Sequence, residues 1–167
     1  MNREMLDLTY YSAIAEDLQQ HNPEAYEILD EEIHIILHKL KFIPQESRPV
    51  TQVIPLGASL PGDYLQELLL VAGAQHNEYA VALDDVELLI FIDETNSYLS
   101  TLPAQLQETF ANCKAVKNNK IFIIQKANFA QDRKDYLQDI EILAEIIQSK
   151  YFIFGHEGEY WVKFDIG

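Results

Sequence analysis

The stretch VELLIFI, residues 86–92, decides the fold class of this chain. All of its residues except Glu87 are apolar, which favours a strand buried on both faces, as in a parallel sheet, over a strand with one face in water. The polar residues 93–96 follow, and a helical pattern then extends to Asn112. The segment therefore predicts a strand, a loop and a helix, in that order.

A similar unit precedes this one. Residues 50–56 are rich in β-branched side chains and lead into a stretch punctuated by Gly57, Pro61 and Gly62, which predicts a strand followed by a loop. Leucines then recur at helical spacing over residues 65–72, and Gly73 is well placed to end that helix.

A third unit follows, with a strand at residues 121–124, a loop at residues 126–131 and then a helix. The apolar face of that helix is formed by Leu137, Ile140, Leu143, Ala144 and Ile147. Three such units in series predict an α/β fold: a three-layer, Rossmann-like domain with a mainly parallel central sheet and helices on both faces. We expect Val53, Leu89 and Ile123 to lie side by side in the middle of the sheet.

The N-terminal segment, residues 1–43, is predicted to be helical, and residues 44–167 are predicted to form an α/β lobe, the two making one compact domain. A first helix is expected over residues 2–20. A second helix is expected to be capped by Asn22, to carry Pro23 in its first turn and to end near Phe42.

The C-terminal region is aromatic. Residues 151–154 and 160–164 are short runs of β-forming residues, which predicts a C-terminal extension of edge strands. In the second run, alternation predicts that Val162 faces the core while Trp161 and Lys163 point to the opposite face.

The composition excludes several functional classes. The net charge of -15 and the pI of about 4.5 argue against nucleic acid as a partner. A run of about 20 apolar residues is absent from the sequence, so membrane insertion is not expected. We expect a cytoplasmic protein if Met1 is the true start, and a periplasmic or cell-envelope protein if the chain is a fragment of a binding protein.

Candidate catalytic and metal groups are weak. Glu31, His34 and His38 share one face of the second helix, but this spacing is common, so a solvated face of mixed charge is the favoured interpretation. The acidic residues at 84–85 and 93–94 are interpreted in the same way. Cys113, the only cysteine, is expected to be an inert, half-buried thiol. We therefore predict no catalytic residue, no metal site and no cofactor, and a protein that is not an enzyme.

Several short strings carry a family resemblance. AVKNNKIF, residues 115–122, is similar to a turn into a late strand that usually has the sequence alanine, valine, lysine, asparagine, glycine and then a basic residue. Residues 60–65 resemble a glycine-containing loop that opens a helix, and residues 68–77 resemble the end of that helix. Residues 143–147 with Phe152 resemble the closing helix and its stop. The chain thus resembles the C-terminal lobe of the helical-backbone substrate-binding proteins of ABC importers, which serve cobalamin, ferric siderophores and haem.

The resemblance covers about residues 25–152 and includes the backbone helix, but the N-terminal lobe of the family has no counterpart. Because family ligands sit between two lobes, a single lobe should lose about 5 kcal/mol of contact, or three to four decades in affinity. The resemblance places the ligand at the loops that follow the strands. The residues expected to contact it are Ser59, Pro61, Gly62, Asp63, Asn96, Asn128 and Phe129.

Three functions follow from these observations. The first is a non-enzymatic binding domain for a corrinoid, haem or ferric siderophore, either a fragment that works with an N-terminal lobe and an ABC permease or a stand-alone relative. The alternative is a protein-interaction or homodimerisation module that has lost small-ligand binding and packs its former ligand face against a protein or a second copy. An enzyme on a Rossmann-like sheet ranks last, because no motif supplies a nucleophile or a phosphate cradle.

Overall fold

The computed structural model describes residues 8–56, 62–75, 82–95 and 97–165. Its four strands form one sheet in the order β1-β2-β3-β4, in which the first three run parallel and β4 is antiparallel to β3. The strands are β1 (Thr51–Pro55), β2 (Leu88–Ile92), β3 (Ile121–Ile124) and β4 (Trp161–Phe164). The predicted α/β fold with a mainly parallel sheet is confirmed.

The three parallel strands are neighbours, as expected from the three sequence units. Their register differs slightly from the expected alignment, because Val53 pairs with Ile90 and Ile123 pairs with Phe91. Leu89 is therefore one position before the partner of Val53 and two positions before the partner of Ile123. The three strands are adjacent in the sheet despite this difference in register.

Helices cover both faces of the sheet, which explains why every residue of β2 is buried. One face packs against α3 (Gly62–Ala72) and α6 (Tyr136–Ile147), and Leu88, Ile90 and Ile92 point to it. The other face packs against α4 (Tyr98–Glu108) and the short α5 (Lys114–Lys117), and Leu89 and Phe91 point to it. The predicted three-layer arrangement is confirmed.

Two further helices, α1 (Thr9–His21) and α2 (Pro23–Leu40), precede the sheet. The side chain of Asn22 accepts a hydrogen bond from the amide of Ala25 at 3.2 Å, and Pro23 begins α2, so the predicted cap is confirmed. The apolar face of α2 packs on α3 and α6 through Leu29, Ile33, Ile36 and Leu40. Residues 1–7, where the first helix was expected to begin, lie outside the described residues.

Gly73 ends α3 as predicted. Its φ of +104° is left-handed, and a β-carbon there would lie 2.7 Å from Cγ of Gln148, so only glycine fits without rearrangement. The helix α4 ends at Glu108 instead of extending to Asn112. Short 3-10 turns occupy Gln45–Ser47, Leu83–Asp85 and Arg133–Asp135. Across the described ranges, each helix is too short or too polar to cross a bilayer.

One expectation for the C-terminal region is wrong and one is confirmed. Residues 151–154 form no strand, because the backbone amide of Phe154 donates to the side chain of Glu145 rather than to a neighbouring strand. Trp161 lies on the opposite face of β4 from Val162, as alternation predicts, and it is buried with its ring 5.8 Å from that of Phe122. Val162 packs on the cluster on the other side of the sheet.

Candidate functional site

The carboxyl ends of the three parallel strands meet at one edge of the sheet. Pro55 pairs with Ile92, and Ile92 pairs with Ile124, so the three strands end level with one another. We call this edge, with the described loop residues that follow each strand (56, 62–64, 93–95 and 125–135), the rim. Ligands of open α/β sheets bind at such an edge.

The residues expected to contact a ligand divide into three groups. Gly62 and Asp63 are exposed in the first turn of α3, and Asn128 is exposed in the loop after β3, so these three lie at the rim. Ser59, Pro61 and Asn96 lie outside the described residues.

Phe129 departs from the expectation. Its side chain is fully buried in the cluster beneath α3 and α6, so it is a core residue and its ring does not line the rim. Its neighbours Asn128 and Ala130 both have left-handed backbone, with φ of +58° and +60°. This tight turn leaves the Asn128 amide at the surface while the apolar ring between the two residues is buried. The sequence of this loop does not indicate that the Phe129 ring is buried while Asn128 stays at the surface.

The rim loops are braced by acidic side chains. Asp93 is buried, and its carboxylate accepts hydrogen bonds from Thr95, Ser97 and the amide of Tyr98, the last at 2.6 Å. Burial alone would raise the pKa of Asp93, but these hydrogen bonds outweigh it and the pKa lies below its ordinary value. Glu94 accepts from the amide of Asn128 at 3.0 Å and so joins two loops. The expected solvated face at residues 93–94 is therefore wrong for Asp93, which fixes the start of α4.

A buried ion cluster lies beneath the third loop. Nζ of Lys126 is 3.0 Å from Oδ2 of Asp135 and 3.2 Å from Oδ1 of Asp139. Asp139 is fully buried and accepts a 3.0 Å hydrogen bond from the amide of Ala130. Burial raises the pKa of Asp139 to about 6, against the opposing effect of Ala130 and Lys126. Burial would lower the pKa of Lys126, but Asp135 and Asp139 outweigh it and raise that pKa.

A second buried carboxylate attaches α1 to the rim. Glu67 on α3 accepts hydrogen bonds from the amides of Tyr10 and Tyr11, at 2.9 and 2.8 Å, and from the hydroxyl of Tyr136, at 2.7 Å. Burial, reinforced by the Glu67 carboxylate, raises the pKa of Tyr136 well above its usual range. The guanidinium of Arg133 lies 4.9 Å from the centre of the Tyr10 ring, a cation–π contact at the edge of the rim.

A cleft of about 600 Å³ opens beside the rim, between α1, the first turns of α2 and the start of α6. Its walls are mainly apolar, and Arg133 and Lys134 supply cationic groups while Asp17 supplies an anionic one. The apolar lining includes Ala13, Ile14, Leu18, Ala25, Ile28 and Leu137. The helical periodicity of α1 and α2 predicts apolar faces, but it does not reveal that these faces leave a gap between them.

The remaining candidates from the sequence are the histidines of α2 and Cys113, and His34 and Cys113 contact nearby backbone oxygens. His34 is exposed, and its Nδ1 lies 2.6 Å from the backbone oxygen of Asp30. Within the described ranges, no set of three or more His, Cys, Asp or Glu residues is arranged to hold a metal ion. Cys113 is buried, more completely than expected, and its Sγ donates to the backbone oxygen of Val86 at 3.2 Å.

Comparison with known proteins gives one structural likeness. No protein-family model matches the sequence, and no curated protein matches it. The fold is similar to that of an ABC transporter solute binding protein from Sulfurospirillum deleyianum DSM 6946, with a TM-score of 0.49 and 14% sequence identity. The match covers 86% of this chain and 51% of that chain, so the present chain spans about half the length of that protein.

Proposed function

We propose that this chain is a non-enzymatic binding domain that acts as one lobe of an ABC-import type binding protein for a corrinoid, haem or ferric siderophore. The observation that carries the proposal is the rim. Three parallel strands end level at Pro55, Ile92 and Ile124, and their loops present polar groups from a rigid sheet. In this proposal a second lobe closes the site and a permease is the downstream partner.

The strings that carry the family resemblance occupy positions that support the proposal. AVKNNKIF covers α5 and the start of β3, and Asn119 stands where the family usually has glycine. Asn119 has a φ of +57°, the left-handed conformation that glycine adopts freely and that asparagine tolerates best among the other residues. Gly62 opens α3 and Gly73 ends it, as in the family's loop and helix.

The rim and the cleft together form a continuous contact region. The 3-10 turn Arg133–Asp135 belongs to the loop after β3, and two of its residues line the cleft. A ligand with a broad apolar skeleton and a polar periphery could therefore contact both, with Asp63 and Asn128 on its polar side. Because the chain carries a net charge of -15, we expect an uncharged or cationic chelate to bind better than a polyanionic one.

Direct titration tests this proposal. Trp161, the only tryptophan, pairs with Ile124 at the rim end of β3, so a light-absorbing ligand at the rim should quench its fluorescence. The full chain is titrated separately with cobalamin, haemin and a ferric hydroxamate siderophore. We expect saturable quenching by at least one of them with a Kd on the order of 0.1 mM, because half of the family's pocket is absent. Flat titrations with all three up to about 1 mM would overturn the small-ligand proposal.

Variants at the rim locate the site. Asn128→Gly removes the side-chain amide without straining the backbone, because glycine adopts the same positive φ. We expect this variant and Asp63→Asn each to weaken binding about 3- to 10-fold, the usual value of one hydrogen bond. The matched control is Asp84→Asn, an exposed residue of the 3-10 turn before β2, at the opposite edge of the sheet. An equal loss in the control would show that the ligand does not bind at the rim.

A further inference from the structure

The outer face of α2 carries an apolar stripe. Ile28, Ile35 and Phe42 are 57%, 43% and 72% exposed, although they are large hydrophobic side chains. They are seven residues apart: Ile28 and Ile35 lie on α2, and Phe42 lies two residues beyond its end, in a turn that follows the helix after the Lys41 amide bonds to the Leu37 oxygen. At 100° per residue the stripe lies about 130° around the helix from the face that packs into the core, and Ile28 also borders the cleft between α1, α2 and α6. Large apolar side chains that are exposed at a regular spacing along one side of a helix are typical of an interaction site.

Two further apolar side chains adjoin the stripe. Nζ of Lys39 donates to the backbone oxygen of Tyr151 at 3.2 Å and lies 5.2 Å from the centre of the Phe152 ring. The segment that carries Tyr151 and Ile153, which are 50% and 88% exposed, therefore runs beside the C-terminal half of α2. We call these five exposed side chains the α2 patch: Ile28, Ile35, Phe42, Tyr151 and Ile153.

The charges along α2 are polarised. The acidic residues of α2 lie towards its N-terminal end, and histidine and lysine follow in its second half and just beyond its end. In the part of the chain that the structure describes, no ion pair within 4.0 Å involves Glu31, Glu32, His38 or Lys39. In chain order the acidic residues are Glu24, Glu27, Asp30, Glu31 and Glu32, and they are followed by His34, His38, Lys39 and Lys41.

We propose that the α2 patch binds a second copy of this chain, with the two α2 helices antiparallel about a twofold axis at Ile35. Such an interface is isologous, so each residue pair occurs twice. The axis places Ile28 of each copy opposite Phe42 of the other and brings the two Ile35 side chains together. The apolar stripe is therefore self-complementary along its whole length.

The flanking charges select this orientation. At 100° per residue, Glu31 and His38 lie on one side of the stripe, and Glu32 and Lys39 lie on the other. A twofold axis perpendicular to the two helices brings the same side of each helix together, with the two chains running in opposite directions. Glu31 therefore faces His38 of the second copy, and Glu32 faces Lys39 of the second copy. A parallel arrangement would instead place Glu31 of one copy beside Glu32 of the other and His38 beside Lys39, so it would bring the acidic residues together.

The expected dimer is weak. The five side chains of the α2 patch expose roughly 500 Å² per copy, below the roughly 800 Å² per partner of a typical stable interface. The net charge of -15 on each copy also opposes association, although it is screened beyond about 8 Å at physiological salt. We expect a Kd on the order of 10–100 μM, so that the dimer forms and dissociates readily.

Sedimentation of the full chain at physiological salt, without ligand, tests the dimer separately from the ligand proposal. We expect a concentration-dependent monomer–dimer equilibrium, and Ile35→Glu should weaken it at least about 10-fold, because two carboxylates then meet on the axis. The matched control is Leu99→Glu, which alters a side chain of α4 that is 65% exposed and should leave the equilibrium unchanged. A monomer up to about 1 mM, or equal effects of the two variants, would overturn the proposal.

Charge exchange tests the pairing itself. Glu32→Lys and Lys39→Glu should each weaken the dimer about 10-fold, because each turns two attractions into two repulsions. The double variant should recover most of the loss, since it restores opposite charges across the axis. A double variant as weak as the sum of the two single variants would overturn the assigned pairing.

Cysteine cross-linking tests the orientation. The native Cys113 is buried, so an introduced thiol reacts alone. Ile35→Cys should form a disulfide with its own copy, and Ile28→Cys should do so only with Phe42→Cys in an equal mixture, because a disulfide needs Cα atoms within about 7 Å. Rapid self-cross-linking of Ile28→Cys would show parallel helices and overturn the proposal. Circular dichroism of each variant confirms that it is folded.

Discussion

Asp139 and Glu145 lie on the same helix, α6, and both are buried, but the chain surrounds the two carboxylates very differently. Glu145 accepts four hydrogen bonds, from the amides of Phe154, Gly155 and His156 at 2.5–3.1 Å and from the indole of Trp161 at 3.0 Å. Asp139 accepts one, from Ala130, and faces Lys126.

The difference appears in the acidity of the two groups. Burial raises the pKa of both, since the charged form loses water. At Glu145 the four donors outweigh burial, and the pKa lies below its ordinary value. At Asp139 burial prevails, and the pKa is raised to about 6. The Oδ1 atom of Asp139 lies 3.2 Å from Nζ of Lys126 but makes no hydrogen bond with suitable geometry among the described residues.

The two carboxylates show that the two halves of α6 have different roles. Its C-terminal half holds the chain between α6 and β4 in place through Glu145, whose ionised form is fully stabilised. Its N-terminal half lies beneath the rim and keeps an incompletely stabilised charge there. The carboxyl end of the helix is therefore structural, while the rim end retains a group that titrates close to neutral pH.

The largest expected effect is that of Glu145→Ala. This change leaves four buried or partly buried donors without their acceptor, so we expect the free energy of unfolding to fall by about 4 kcal/mol. Urea denaturation measures the loss. Glu159→Ala, at an exposed position of the same segment, is the control and should change stability by less than about 0.5 kcal/mol. A loss below about 1 kcal/mol for Glu145→Ala would contradict the structural role.

The second prediction concerns pH. Because the pKa of Asp139 is higher in the folded chain than in the unfolded chain, the folded state holds this proton more tightly. Its contribution to stability is therefore fully present below about pH 4 and is lost as the pH rises to about 6, a change of about 3 kcal/mol. Asp139→Asn does not titrate, so its stability relative to the wild type should increase by that amount between pH 4 and pH 7.

The stability of Glu145→Gln should depend on pH in the opposite sense to that of Asp139→Asn. Its carboxylate has a depressed pKa in the folded chain, so its contribution is present above the unfolded pKa and is lost as the pH falls through the folded pKa. The stability penalty of Glu145→Gln should therefore shrink in acid. Urea unfolding of both variants at several pH values measures the two difference curves. Curves with the same slope would contradict the contrast between the two carboxylates.

Much of the fold can be predicted from the sequence because the signals are local. The apolar run of β2 and the helical repeats after each strand identify three strand–helix units, and consecutive units of this kind usually lie side by side in a parallel sheet. Asn22, Pro23 and Gly73 define helix ends through their own backbone chemistry, so they too are visible in the sequence. These features depend on residues that are close together along the chain.

The incorrect expectations involve partners that are distant along the chain. Residues 151–154 have strong β propensity, but the nearby backbone amides bind Glu145, nine or more positions earlier.

The candidate site is predicted only in part for the same reason. The position of the rim follows from the parallel strands, but the burial of Phe129 and of Asp93 does not. The sequence of α6 contains four polar residues, Gln138, Asp139, Glu141 and Glu145, and it does not show that Asp139 and Glu145 are the buried ones that need partners. The identity of those partners, and the cleft between α1, α2 and α6, depend on the packing of separate segments.

The smallest expected effect is that of Asp135→Asn. Asp135 is partly exposed, with 39% of its side chain accessible, and its charge helps to raise the pKa of Asp139 while it also binds Lys126. Removing that charge should lower the pKa of Asp139 by less than about one unit and change stability by less than about 1 kcal/mol, since solvent screens the pair. A carboxyl-carbon NMR titration of Asp139 measures the shift, with the exposed Asp132→Asn as control. A rise in that pKa would show that Asp135 acts mainly by holding Lys126 against Asp139, and the charge beneath the rim would then depend on this lysine.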